Sequence, residues 1–273
     1  MSHYAVAVFL DPNGKNLEEL LAPFDENLHV PHYIPKADII AKVRSEIESY
    51  KNGTYAEYLK DPESYVAKHS DRPDHIEYVT KQFPMKLHWT DEDCYLDGIR
   101  YYEEEDIKPD GSVFSDYNPN SKWDWYSIGG RFSDIVPLKE GGYANEASMC
   151  DVNIDHRDKE EYKNAIRFWQ LYVEGQEPVT EEDKELLKFV WYKKEYFTER
   201  YANAEEYAAW VSGFTFYAAL LPTGEWLEPG RMGWWGMSHA TADDDKAWHS
   251  KVKEILKQAQ DNNWEITIVD CHI

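Results

Sequence analysis

The segment Tyr4-Ala5-Val6-Ala7-Val8-Phe9-Leu10 is almost wholly apolar, and the turn-forming residues Asp11-Pro12-Asn13-Gly14 follow it directly. An apolar run of this length predicts a strand that is buried on both faces. Near the other end of the chain, residues 264–270 (WEITIVD) alternate and are rich in β-branched side chains, which predicts another strand. We therefore expect the two terminal strands to pair or to lie close together in one sheet.

A third strand is predicted between Gly213 and Leu221, where aromatic and aliphatic residues precede the turn Pro222-Thr223-Gly224. Trp226-Leu227 is expected to begin its hairpin partner. The segment Asp91–Asp110 is sharply acidic and interrupted by aromatic residues. It predicts a surface loop or an edge strand.

Helices are indicated elsewhere by apolar residues at helical spacing and by capping pairs. The apolar spacing predicts one helix after Pro35, one that ends at Gly175, and one before the last strand. The stripe residues are Ile39, Ile40, Val43 and Ile47; Tyr162, Ala165, Ile166, Trp169 and Tyr172; and Trp248, Val252, Ile255 and Ala259. The predicted capping pairs are Thr180 with Asp183 and Asn203 with Glu206.

These patterns favour an α+β fold with a mostly antiparallel sheet that contains the N- and C-terminal strands and is flanked by helices. The 273 residues are at the upper end of what one hydrophobic core supports. We expect a single domain over residues 1–273. The helical segments at about 35–80 and 159–211 are insertions or a flanking layer.

The chain carries 29 basic and 52 acidic residues, a net charge of −23. This excess argues against direct binding of nucleic acid through phosphate neutralisation and against an anionic membrane surface. Three widely spaced cysteines are typical of a reducing compartment, and no apolar run reaches the length of a membrane span. With no signal-peptide pattern at the N-terminus, we expect a cytoplasmic protein.

The segment Tyr117–Arg131 (YNPNSKWDWYSIGGR) combines aromatic rings, fixed charges and a glycine pair. In an extended segment the two tryptophans share one face, so both can stack on a planar ligand. Glycines allow close backbone approach, and an arginine fork suits phosphate or carboxylate. The predicted ligand-binding residues here are Trp123, Trp125, Tyr126, Gly129, Gly130 and Arg131. The alternative is a tryptophan-anchored bulge whose arginine pairs with an acidic residue.

A second segment, Pro229–His239, repeats the combination of arginine, glycines and tandem tryptophan. If the two segments meet, they form a cage for a nucleobase and a phosphate, and Arg231, Trp234 and Trp235 join the predicted ligand-binding residues. The alternative is a glycine-permitted turn that closes the open end of the sheet.

The chain ends in Asp270-Cys271-His272-Ile273. Asp270 and His272 lie on one side of an extended strand and Cys271 on the other, which makes a Cys271–His272 dyad geometrically poor. With Asp124, Asp270 and His272 are the candidates for acid–base catalysis. A packed terminus is the alternative. We predict no metal site, and the cofactor stays unknown.

The chain resembles a family of uncharacterised phage and bacterial proteins over its whole length. The shared motifs are the Met-Ser-His start, the segment Leu21–Asn27, the segment Asn118–Arg131, Met232–Gly236 and the end Val269–Ile273. Phe132 stands where such proteins often have tryptophan. The resemblance implies a phage-associated protein of the host cytoplasm and implies no activity.

Three functions follow as hypotheses. The first is a protein that binds, or binds and processes, a small anionic, nucleotide-like ligand, with a role in countering host defence. The second is an acidic interaction protein or DNA mimic that inhibits a basic host protein, with Glu103, Glu104 and Glu105 in its contact surface. The third is a metal-dependent hydrolase that uses Asp25, Asp124, Asp270 and His272.

Overall fold

A computed structural model of the chain describes residues 2–233, 238 and 240–273. Within these residues the strands are β1 (His3–Leu10), β2 (His32–Ile34), β3 (Val113–Ser115), β4 (Trp125–Ile128), β5 (Val136–Pro137), β6 (Tyr143–Ala144), β7 (Glu146–Ser148), β8 (Ala218–Leu220), β9 (Trp226–Leu227) and β10 (Glu265–His272).

The helices are α1 (Leu17–Leu21), α2 (Lys36–Tyr50), α3 (Ala56–Lys60), α4 (Pro62–Lys68), α5 (Pro73–Glu77), α6 (Phe83–Lys86), α7 (Asp91–Ile99), α8 (Lys159–Phe168), α9 (Glu181–Leu186), α10 (Lys194–Arg200), α11 (Ala204–Val211) and α12 (Ala242–Asp261). Short π-helical segments continue three of them, at Lys51–Tyr55, Tyr78–Gln82 and Trp169–Val173.

The chain divides into two compact units. The sheet unit comprises residues up to Leu28 and residues from Asn118 to Ile273, and the insert unit comprises His29–Tyr117. The fold is α+β, with helices flanking a mostly antiparallel sheet that contains both terminal strands, as predicted.

The sheet of the sheet unit has the strand order β4-β10-β1-β8-β9, and β7 also pairs with β10. The two terminal strands pair antiparallel along their full length, from His3 opposite His272 to Leu10 opposite Glu265. β8 runs parallel to β1, and β9 returns beside β8 as the predicted hairpin partner. The first and last described segments of the chain therefore form the centre of the sheet.

Both faces of β1 are buried, which explains why its sequence is apolar without alternation. On one face, side chains of β1 and β10 pack against the apolar stripe of α12. These residues are Ala5, Ala7, Phe9, Ile266, Ile268, Trp248, Val252, Ile255 and Ala259. On the other face, a second cluster forms against α1, with Tyr4, Val6, Val8, Val269, Cys271, Leu17, Leu20 and Leu21.

The strand predicted over Gly213–Leu221 is shorter than expected, because the ladder begins only at Ala218. The N–H of Gly213 donates to the carbonyl of Trp210 at the end of α11, so this residue ends a helix. Phe214 and Phe216 lie before the strand and pack into the core beside α12. Aromatic density in this segment therefore reflects core packing more than strand pairing.

In the insert unit, the expectation of a loop or edge strand over Asp91–Asp110 is wrong, because its first half is the helix α7. Thr90 caps this helix in a capping box with Asp93, and carboxylates in the first turn stabilise the helix dipole. In α2, Lys36 forms an ion pair with Glu92, and Arg44 forms one with Asp91. The acidic residues thus begin a helix and hold it against its neighbour.

Helices of the sheet unit form an aromatic cluster around Trp169, Val173 and Phe197. Beside it, Asp183 forms the predicted capping box of α9 with the N-cap residue Thr180 and accepts two hydrogen bonds from the Arg167 guanidinium, each of 2.7 Å. None of the helices in the described part of the chain combines the length and apolar composition that a bilayer span requires.

Candidate functional site

Two histidines face each other at one end of the sheet. The β1–β10 register places His3 opposite His272, and the β10–β4 register places Trp125 opposite His272. The ring centroids of the histidines are 4.9 Å apart in an edge-to-face arrangement, and the Trp125 ring stacks on His272 at 5.0 Å. Three adjacent strands therefore present an imidazole–imidazole–indole group.

A carboxylate holds each histidine through Nδ1. His3 Nδ1 lies 2.8 Å from Asp270 Oδ1, and His272 Nδ1 lies 2.6 Å from Asp124 Oδ1. In a neutral imidazole this arrangement places the proton on Nδ1 and leaves Nε2 as an acceptor. The backbone N–H of Asp124 also donates to the His272 carbonyl at 3.0 Å. The structure thus brings Asp124, Asp270 and His272 together.

The glycine pair wraps the chain around Asp270. Gly129 and Gly130 have φ values of 68° and 54°, in the left-handed region that glycine adopts readily. The following N–H, of Arg131, donates to Asp270 Oδ2 at 2.9 Å. A Cβ on Gly130 would lie 2.5 Å from that oxygen. We expected the glycine pair to let the backbone approach a ligand closely. In this structure the backbone instead approaches Asp270, the carboxylate that holds His3.

The two tryptophans of the central motif lie on opposite faces of the sheet, so the expectation that they share one face is wrong. Trp123 is buried in the cluster that contains Cys271, and Tyr126 packs edge-to-face against it at 5.1 Å. Trp125 stacks on His272 and is partly exposed. The reason is that Trp123 precedes β4 and forms an isolated bridge with Asp25, so strand alternation does not apply to it.

The two predicted anion-binding arginines are exposed. Neither Arg131 nor Arg231 forms an ion pair with the residues that the structure describes. Trp234 and Trp235, predicted from the second motif, lie outside the described residues.

A cleft of about 830 Å³ opens beside His3. Phe132 and Ile135, which follow the central motif, line it, and so do Pro229, Met232 and Ser238 of the second motif. The second motif therefore contributes to this cavity, whereas none of the ligand-binding residues predicted from the central motif lines it, and neither does Arg231. Aromatic residues form much of the remaining wall: Tyr192, Tyr196, Tyr201, Trp210, Phe216, Tyr217, Trp248 and His249.

One guanidinium group lies in the wall of this cleft. Arg200 Nε donates to Asp245 Oδ2 at 2.7 Å, and the guanidinium carbon lies 3.8 Å from the centroid of the Tyr196 ring. The described residues supply no hydrogen-bond partner for Arg200 Nη2. The ion pair with Asp245 thus orients the guanidinium group and leaves Nη2 available to donate to another acceptor.

Burial shifts the pKa values of several titratable rings of the wall toward the uncharged form. Burial raises the pKa of Tyr196, Tyr201 and Tyr217 above that of a free phenol. Burial also lowers the pKa of His249, whose ring stacks on Trp210 at 3.7 Å. Apart from Asp245, which Arg200 neutralises, the described wall presents no carboxylate that would repel an anion.

The described residues contain no group of three or more histidine, cysteine, aspartate or glutamate side chains placed to hold a metal ion. Asp124 and Asp270 pair with different histidines, and Asp25 accepts hydrogen bonds from Asn27. The four residues of the hydrolase hypothesis do not form a metal centre in this structure.

Sequence reasoning did not assign His3 or Arg200 to the ligand site. His3 is 267 positions from its partner Asp270, and only the strand register brings them together. For the aromatic wall a signal was present, because Tyr192 and Tyr196 recur at helical spacing. Such spacing alone does not separate a core stripe from a cavity wall.

No protein-family model, no curated protein and no solved structure matches this chain. The phage family therefore stays a prediction from the quoted motifs.

Proposed function

We propose that the sheet unit binds a small anionic, nucleotide-like ligand in the cleft beside His3. The planar part of the ligand stacks on the aromatic wall, and its anionic group faces Arg200 and His3. The observation that carries this proposal is the position of His3. The His3 ring lines the cleft, and Asp270 holds it at Nδ1. The described residues leave Nε2 of His3 without a hydrogen-bond partner.

The dimensions of the cleft support a ligand of this size. Pockets for small molecules typically measure about 300–1,000 Å³ and combine apolar walls with a few oriented polar groups. The volume of about 830 Å³ lies in that range. Tyrosine and tryptophan side chains offer ring faces for stacking on a base of any identity.

The polar groups of the cleft support an anion on a protein of strongly negative net charge. Arg200 presents its remaining N–H donors from a rigid position, since its side chain is mostly buried and paired. The Asp270 carboxylate holds His3 at Nδ1, and in the imidazolium form Nε2 donates to an anionic oxygen. Both groups are fixed before a ligand arrives, which limits the entropy lost on binding.

The experiment is a calorimetric titration with adenosine monophosphate as the probe, on the full chain. We expect His3→Ala to weaken binding by about tenfold or more, the usual effect of losing one charge-assisted hydrogen bond. The matched control is His29→Ala, because His29 also pairs with an aspartate, Asp116, but is exposed in the insert unit. Equal affinity of the two variants for the probe would contradict the proposal.

The biological setting remains a prediction from the resemblance. A protein of this kind, encoded by a phage, would capture a nucleotide signal of the host and so counter host defence. In infected cells we expect His3→Ala to abolish the protection of the phage against host defence, whereas His29→Ala should retain it.

A further inference from the structure

A second cavity adjoins the aromatic wall of the cleft. This groove measures about 660 Å³ and shares Tyr192, Tyr196, Tyr201 and Trp210 with the cleft beside His3. Its other aromatic lining residues are Phe168, Phe189, Trp191, Phe197 and Tyr207. The lining residues come from α8, the end of α9, the segment between α9 and α10, and the region of α10 and α11, and none of them belongs to a strand of the central sheet.

Two aromatic side chains at the groove are unusually exposed. Trp191 is 86% exposed and Phe189 is 73% exposed, although most large aromatic residues bury the greater part of their surface. Both lie in the segment between α9 and α10 and line the groove. Exposed rings that line a concave surface are typical of a binding site.

Glu161 is the only charged residue that lines the described part of this groove. Its carboxylate forms no ion pair with the described residues, and the neighbouring Asp158 is engaged in capping α8. Partial burial and the Asp158 charge raise the pKa of Glu161, and burial, then the charges of Tyr196 and Glu161, raise that of Tyr207. When Glu161 is ionised, its negative charge lies at the groove without a cationic partner among the described residues.

We propose that this groove binds an organic cation with an apolar body, of the alkylammonium or arylammonium class. The ring faces attract a cation through their quadrupoles, and Glu161 supplies the countercharge. The protein's net charge of −23 also favours a positively charged ligand. An anion of the kind proposed for the His3 cleft would be repelled by Glu161, so the two cavities select opposite charges.

The test uses choline and 3,3-dimethylbutan-1-ol, which have the same shape and differ in charge. Their binding to the full chain is measured by ligand-observed NMR. We expect choline to bind at least about fivefold more tightly than the neutral alcohol, the size of a partly exposed cation–π and ion-pair contribution. Equal binding of the two probes, or binding of neither, would overturn the proposal.

Two variants locate the site. We expect Glu161→Gln to reduce choline affinity, whereas Glu160→Gln, the adjacent carboxylate that does not line the groove, leaves it unchanged. Trp191→Ala should also weaken binding, and its exposure means that the fold does not depend on it. Choline binding that survives both Glu161→Gln and Trp191→Ala would refute the assignment. His3→Ala should not affect choline, so this result is independent of the nucleotide proposal.

Discussion

The single residue on which the site depends most is Asp270. It is 2% exposed and accepts hydrogen bonds from Nδ1 of His3 and from the backbone N–H of Arg131. Through these two bonds one carboxylate connects the start of β1 with the glycine turn after β4. It therefore acts as a positioning residue for His3 and as a structural link between distant parts of the chain.

We predict that Asp270→Asn lowers the free energy of unfolding by about 1–3 kcal/mol, because a buried hydrogen-bond network loses its charged acceptor. Urea denaturation measures the change, and binding of adenosine monophosphate should weaken in parallel. The control is Asp116→Asn, since Asp116 holds His29 in the same way but is 56% exposed. If both variants lost equal stability, burial of the Asp270 pair would not be the cause.

The glycine turn gives a second prediction at this scale. Gly130→Ala should destabilise the protein by about 2 kcal/mol or more, because left-handed strain adds to a clash with Asp270. Gly141→Ala is matched to it, since Gly141 also has positive φ but would place its Cβ in open space. Thermal or urea unfolding compares the two variants. A smaller effect at Gly130 than at Gly141 would contradict the contact with Asp270.

At the scale of elements, hydrophobic patterns in the sequence predicted the strands and helices that depend on local periodicity. The apolar run of β1, the alternation of β10 and the stripe of α12 were sufficient to predict the central sheet and its helix, and the fold class is confirmed. The helix α7 was missed because the capping box at Thr90 was outweighed by the acidic composition. The predicted residues Asp124, Asp270 and His272 lie beside His3, and their catalytic role stays a prediction. The position of His3 depends on strand register, which alternation within one strand does not reveal.

The cap of α9 leads to a pH prediction. The Arg167 guanidinium and then the N–H of Val179 hold the pKa of Asp183 well below its usual range. A carboxylate whose pKa is depressed in the folded state stabilises the fold above its unfolded pKa, about 4, and this contribution is lost as pH falls toward the folded value. Asp183→Asn should therefore lower the melting temperature at pH 7, and the difference from wild type should shrink below about pH 4.

The control for this prediction is Glu182→Gln, which removes a neighbouring carboxylate from the first turn of the same helix. Its effect on the melting temperature should be small at every pH. A difference between Asp183→Asn and wild type that does not change with pH would show that the charge of Asp183 is not what stabilises this region.

At the scale of the whole molecule, the cores are separate. The two clusters on the faces of the central sheet contain no residue of the insert unit, and neither does the lining of the His3 cleft. The insert unit has its own cluster around Ile39, Tyr95 and Val113. Each unit thus buries apolar surface by itself, and the proposed ligand site belongs to one of them.

This separation predicts that the insert unit can be removed. Leu28 N–H and Asn118 Nδ2 both donate to the Asp25 carbonyl, at 3.2 and 2.9 Å, so a short glycine–serine linker can join the two ends. Replacement of residues 29–117 by such a linker should leave a folded protein whose affinity for adenosine monophosphate is unchanged. Calorimetry measures this affinity. Its loss, with the circular-dichroism spectrum still that of a folded protein, would mean that the insert unit contributes to binding.

Native mass spectrometry of gently purified protein shows whether a ligand occupies the cleft beside His3. We expect wild type and His29→Ala to retain a small molecule of nucleotide size, or to acquire one when adenosine monophosphate is added, and His3→Ala to do neither. The contradicting result is a bound molecule that persists equally in His3→Ala, or wild-type protein that takes up none under either condition.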